Sequence, residues 1–403
     1  MRPLPRIVKL LIFGAGFVKV ASFMSMPFLA IFLSRDSSIP IPLIGLVVGI
    51  SPLFSVVGAF FGGQFSDRFG RKNILLLSLS MVALCYFGFF GAAHIQVSSL
   101  RISAFVAVNG LNGFFSWMFQ PVSQALISDL LTPVERVKAF QLRYGALNLG
   151  AAIGPAIGGI LGISSTSNSF LLTGILYLIF TLFLSYSLYG FLPATSSVIR
   201  KPRFIHSMQA LASDRRLLLF VLAGMLFMMA YAQLESNLSQ FLKMNFADGI
   251  KIFSRLLSLN GLTVILFQVP VYYLSAKLRP AINLWIGTSI FALGIFLFSI
   301  GGEKVELYYL AMIILSIGEI LVFPVQGLFV DSIAPENLRG TYFGAGLLRQ
   351  FGLFLGPPLG GFLLSWGWGR GLFICASGLS IISGVIFYYG EKITRSDAVS
   401  LYV

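Results

Sequence analysis

Cut at its charged clusters, this chain separates into roughly twelve apolar stretches of about 20 residues or more, joined by short loops. About 20 apolar residues is the length a helix needs to cross a bilayer, so the pattern dictates an all-α, polytopic membrane protein. The expected spans lie near 8–33, 43–66, 73–94, 102–128, 139–163 and 169–193, then 217–242, 252–275, 282–300, 307–330, 340–366 and 371–390. Hydrophobic residues make up 57% of the chain and charged ones 10%, a surface no soluble domain of this length would tolerate. No length remains for a sizeable soluble domain.

The net charge of +14 raises the possibility of nucleic acid, but that partner needs a clustered basic face on a water-soluble fold. Here the cations sit at helix ends, and we read them as topology determinants. With the N-terminus inside, about 19 Lys and Arg fall on the cytoplasmic side and about seven on the other, which places both termini in the cytoplasm. Arg2, Arg6 and Lys9 ahead of an apolar run imitate a signal peptide, yet the run continues to about Leu33 without a small-residue cleavage site, as expected of an uncleaved first helix. Cys85 and Cys375 lie in apolar segments and are expected to be buried small hydrophobes, so no disulfide, metal pair or redox motif is indicated.

Residues 194–214 are polar and carry Arg-Lys-Pro-Arg, a linker able to join two bundles, 1–193 and 215–403, but too short to fold alone. The halves repeat. Gly150, Gly154, Pro155, Gly158 and Gly159 follow a loop with Pro133, Glu135 and Arg136, while Gly352, Gly356, Pro357, Gly360 and Gly361 follow a loop with Pro335, Glu336 and Arg339. Phe119 and Pro121 find echoes in Phe323 and Pro324. Internal repeats of this kind point to a substrate site near the midplane between halves.

Two stretches carry a family resemblance. The first is a short charged hairpin, Gly63 to Lys72, with Gly63, Asp67, Arg68, Gly70, Arg71 and Lys72 in register between the second and third spans. Taken alone it is also what positive-inside punctuation looks like. The second is the string from Gly150 to Gly159 in the fifth span, where Gly150, Gly154 and Gly158 leave one face without side chains and Pro155 should kink the helix. Taken alone, that spacing is also ordinary membrane packing. Together with the span count and central linker, they resemble the drug:proton antiporter branch of the major facilitator superfamily, across nearly the whole chain.

The resemblance implies two pseudo-symmetric six-helix bundles and a bacterial plasma-membrane transporter, monomeric and without cofactor, that exchanges protons for small amphipathic substrates. It implies that Asp67 pairs with the hairpin arginines and meets the start of the eleventh span near Gly340, latching one conformation, with Asp129 as a second acceptor for Arg68 or Arg71. The corresponding second-half loop, Ser275 to Arg279, lacks the acid, which leaves one strong latch.

Ionisable groups at membrane depth are expensive and functional by default. Lys19 and Glu319 both lie near mid-span and form a candidate ion pair, and Glu235 lies nearer the outer face of the seventh span. All three are proton-coupling candidates, since a cavity carboxylate can load and release a proton as its surroundings alternate. A static pair that only sets helix register is the competing reading. Arg143 and Arg349 complete the set. Related antiporters usually keep an arginine in the middle of the fourth span, whereas this chain reads Val106 to Gly113 with Asn109 and Asn112, which makes Lys19 the candidate to supply that cation. Asn112, Trp117, Gln120, Gln124, Gln233, Asn237 and Gln326 suit an amphipathic ligand as a group, although each alone is more often an interhelical hydrogen bond or a lipid-facing aromatic. Neither a Gly-x-x-x-x-Gly-Lys-Ser/Thr loop nor a His-Glu-x-x-His helix is present, so ATP-driven pumping and zinc peptidase chemistry have no support, and no enzyme is indicated. Transport of a sugar, metabolite or lipid, or a non-transporting receptor or scaffold, are the alternatives.

Overall fold

The structure, a computed structural model, describes residues 4–36, 39–161, 166–190, 212–275, 278–334, 342 and 345–392. These residues are helical and contain no strand. Eleven helical segments among them are long and apolar enough to cross a membrane by length and composition. The helix Pro133–Ile160 is as long but lies outside that set, its apolar run being diluted by glycine and interrupted by Arg143.

By contact the chain forms two compact units, Met1–Ile199 with Leu242–Leu262, and Arg200–Phe241 with Thr263–Val403. In the first lie α1 (Arg6–Phe23), α2 (Leu29–Leu33), α3 (Ile41–Phe69), α4 (Arg71–Ala93), α5 (Ser98–Asp129), α6 (Pro133–Ile160) and α7 (Ser167–Ser187). Here α3 packs on α5, α5 on α4, α4 on α7, α7 on α1 and α1 on α6. The core is aromatic. Phe105 and Phe170 meet Phe89 at centroid distances of 5.7 and 5.3 Å, and Phe32 closes the cluster. Each such pair adds about 0.5–1.5 kcal/mol beyond area burial.

The second unit holds α8 (Arg215–Glu235), most of α9 (Asn237–Asn245), the C-terminal part of α10 (Gly249–Ser275), α11 (Pro280–Ile300), α12 (Val305–Ile333), α13 (Phe351–Ser365) and α14 (Gly369–Lys392). Here α12 packs on α11, α11 on α14, α14 on α8 and α8 on α13. Phe220 stacks on Phe329 at 5.3 Å, and Phe227 meets Phe291 at 4.9 Å.

Two of the expected spans carry a break, and two expectations need correction. The first span, 8–33, is two helices. Pro27, which has no N–H to donate, sits in a 3₁₀ turn at Met26–Phe28, and Thr173 of α7 donates to the Ala21 carbonyl at 2.9 Å, replacing a lost helical bond. The seventh span, 217–242, breaks at Ser236 with neither Pro nor Gly present. The Ser236 hydroxyl instead donates to the Ala232 carbonyl at 2.8 Å, the local competition by which serine loosens helices. The charged hairpin is almost wholly helical: α3 runs to Phe69 and α4 starts at Arg71, leaving Gly70 alone as the turn with φ +88°, a conformation glycine adopts without strain. Finally, Cys85 is buried, but Cys375 is exposed on α14.

Candidate functional site

In the first unit α6 is held by its glycines. A Cβ on Gly150 would stand 2.6 Å from the Gly16 carbonyl oxygen and 2.9 Å from the Lys19 Cβ, and one on Gly154 would stand 2.7 Å from the Phe23 Cβ. Backbone therefore lies directly on backbone between α6 and α1, which the absence of side chains alone permits. Pro155 and Gly158 are buried, and the Pro155 carbonyl accepts from the Ser254 hydroxyl at 2.5 Å. A Cβ on Gly159 would meet that same hydroxyl at 2.8 Å. The second unit uses the same device: a Cβ on Gly352 would strike the Met225 carbonyl of α8, and one on Gly356 would lie 2.8 Å from the Met229 carbonyl.

The Lys19 stem rests on the glycine face of α6, and its ammonium lies 3.7 Å from the centre of the Phe23 ring. A cation over an aromatic face gains about 0.5–2 kcal/mol, more where water is excluded. Glu319 is half-buried on α12, beside Gly318, where α12 touches the α11 backbone. Glu235 is exposed at the last turn of α8, next to the break at Ser236.

At the α3–α4 turn, Arg71 pairs with Asp129 at the end of α5. Lys72 donates to the Leu188 carbonyl at 2.6 Å, so an ammonium sits at the C-terminus of α7, where the helix dipole favours it. Arg68 is exposed, its guanidinium 5.2 Å from the Phe69 ring centre. The side chain of Asp67 and residue Gly63 lie outside the described burial, and Gly340 lies outside the described residues.

The polar candidates separate by partner. Gln233 donates to the Gly356 carbonyl at 3.1 Å, and Asn237 donates to the Gln233 amide oxygen at 2.6 Å and the Pro357 carbonyl at 3.2 Å. These two amides tie α8 and α9 to the proline-interrupted part of α13. Gln120 accepts from Arg143, and Gln326 accepts from Arg349 Nε at 2.9 Å. Asn112 is buried, with its amide 3.9 Å from the Met26 sulfur, while Trp117 and Gln124 are exposed.

Sequence reasoning found Arg143 and Arg349 but not their partners. A spacing of 23 residues from glutamine to arginine in each half was the available signal. It also missed Lys243, which donates to Ser34, and the pairing of Asp36 with Arg101. Among the described residues no group of three His, Cys, Asp or Glu is placed to hold a metal.

Comparison with known proteins bears on this arrangement. The Major Facilitator Superfamily model matches residues 11–350. The uncharacterized MFS-type transporter YqjV of Bacillus subtilis (strain 168) is 31% identical over 388 residues, 93% of this chain and 90% of that one. A Na(+), Li(+), K(+)/H(+) antiporter of Planococcus maritimus is 27% identical over 95% of both chains, and the multidrug resistance protein MdtH of Salmonella paratyphi B is 25% identical over 81% of this chain and 77% of its own. Among solved structures, the nucleoside transporter NupG superposes with a TM-score of 0.78 at 14% identity, covering 97% of this chain and 100% of that one. That likeness concerns the fold.

Proposed function

This chain belongs to the Major Facilitator Superfamily of membrane transporters, and from that premise we propose that it exports small amphipathic compounds in exchange for protons, by alternating access. The observation that carries the reading is the seating of Lys19 on Gly150: the one lysine at depth in α1 rests on the first glycine of the string that resembles the antiporter motif. In this reading two six-helix bundles, 1–193 and 215–403, joined by the 194–214 linker, alternate about a central pocket in the bacterial plasma membrane, with both termini cytoplasmic and the protein monomeric. Glu319 or Glu235 carries the proton: desolvation favours the neutral acid, a nearby cation favours the carboxylate, and alternating access switches between the two. Asp67, with Arg68, Arg71, Lys72 and Asp129, latches one state, and Asn112, Trp117 and Gln124 line the pocket with the amides. The Salmonella relative's name, a multidrug resistance protein, supports this substrate class.

Dye accumulation in cells with and without the protein, and with and without a protonophore, tests the reading. Lower accumulation that the protonophore abolishes is expected; accumulation equal in both strains counts against efflux. A second reading is exchange of monovalent cations for protons, favoured by the name of the Planococcus relative. It predicts that Na⁺ or K⁺ alone, without dye, discharges an imposed pH gradient.

A further inference from the structure

Arg143 is 5% exposed and lies on α6 four residues into the expected span 139–163, about 6 Å along the helix from the inner end of that span. Its guanidinium donates to the Gln120 amide oxygen, and its Nε–H has no partner. No carboxylate among the described residues pairs with it. One turn along α5 from Gln120, on the same face, the hydroxyl of Ser123 is wholly buried and also without a partner. A formal positive charge with an orphaned guanidinium N–H thus meets α5 at Gln120, one turn from an orphaned hydroxyl. Leaving a buried donor unsatisfied is costly, and more so for a charged group, so the arrangement asks for an acceptor that the described residues do not supply.

The second unit repeats it. Arg349 donates from Nε to Gln326 at 2.9 Å and from Nη1 to the Gly346 carbonyl at 2.6 Å, its stem laid over Gly224 of α8. The Gln326 Nε2 is buried without a partner, and again no described carboxylate pairs with the arginine. Both arginines follow their glutamine by 23 residues. Two neutral amide acceptors facing two cations make a structural ion pair the wrong description of either.

We infer that Arg143, with Gln120 and Ser123, is an anion-accepting subsite for the carboxylate of a transported compound, and that Arg349 with Gln326 is its counterpart in the second unit. The planar fork of a guanidinium matches a carboxylate in a way an ammonium does not. The substrates are therefore amphipathic acids or zwitterions rather than simple lipophilic cations. This rests on the transport reading but is tested apart from it, because binding at equilibrium needs no proton gradient.

The probes are 2-naphthoate and 2-naphthamide, which share a ring system and differ in charge. Binding to the full-length purified protein, measured by calorimetry and by the shift in thermal midpoint, is expected to favour the acid at least tenfold. Arg143→Gln and Arg349→Gln each reduce that preference, and Arg143→Lys keeps part of it. Gln120→Glu places a resident carboxylate of nearly the same shape beside Arg143, so it reduces the preference as Arg143→Gln does while leaving the unliganded protein at least as stable, a result open even if Arg143→Gln fails to fold. Equal binding of acid and amide, no binding of the acid, or a preference that Gln120→Glu leaves undiminished overturns the inference. Gradient-driven efflux of cationic dyes with no naphthoate binding would sink it and leave the proposed function standing.

Discussion

The Lys243 ammonium donates to both the carbonyl and the hydroxyl oxygen of Ser34, at 3.0 and 2.9 Å. Ser34 caps the C-terminus of α2, so the ammonium meets an orphaned carbonyl at the negative end of a helix. Both residues belong to the first unit, although 209 positions separate them. Charge-assisted bonds of this kind contribute about 1.5–3 kcal/mol when buried and less when half-exposed, as here. Lys243→Met should lower stability by about 1–2 kcal/mol in thermal unfolding, and Ser34→Ala by less, since the carbonyl remains. Equal losses would mean that the hydroxyl alone matters.

Gly150→Ala and Gly145→Ala, five residues apart in α6, should have opposite signs. A Cβ at 150 meets backbone at 2.6 Å, an overpacking that costs about 1–3 kcal/mol, whereas at 145 it meets nothing within 4 Å and gains up to about 1 kcal/mol of helix propensity. Thermal midpoints of the two variants decide; two destabilised proteins would show that α6 is sensitive throughout.

Gly360 and Gln233 should be strongly non-additive. A Cβ on Gly360 would collide with the Gln233 amide oxygen and with the Asn237 side chain, breaking their bonds to α13. With those bonds already broken, removing Gln233 loses little more, so Gly360→Ala with Gln233→Ala should fall short of the summed single effects by about 1 kcal/mol or more. Strict additivity would contradict the geometry.

The spans were legible because an apolar run long enough to cross a bilayer has few other fates, and the close approach at Gly150 and Gly154 because small-residue spacing acts locally. Boundaries were harder. Nothing in Gln-Phe-Ser-Asp-Arg-Phe stops a helix, so α3 continues through residues that charge alone marked as a loop. The break at Ser236 carries no Pro or Gly signal and depends on side chains competing for carbonyls in place. Partners were least legible of all. Gln233 and Asn237 reach α13, and Arg143 reaches Gln120, across stretches of chain whose packing no local pattern encodes.

The pairing of Arg71 with Asp129 makes a mechanistic prediction. As a partly exposed pair it contributes only about 0–1 kcal/mol to stability, so Arg71→Gln or Asp129→Asn should leave the thermal midpoint nearly unchanged while slowing transport if the turn is a latch. Exchanging the two charges should restore part of the rate. Full transport in both single variants would remove this pair from the latch.

The most direct test of proton-coupled export is proton movement triggered by substrate in proteoliposomes holding the purified protein, followed with a trapped pH dye across a panel of amphipathic acids, lipophilic cations, sugars and lysolipids. The account predicts that at least one amphipathic compound moves protons in the direction opposite to itself, and that neutral Gln at Glu319 or Glu235 abolishes the movement. Compound transport that proceeds at full rate with no proton movement, in the wild type and both variants, would contradict it.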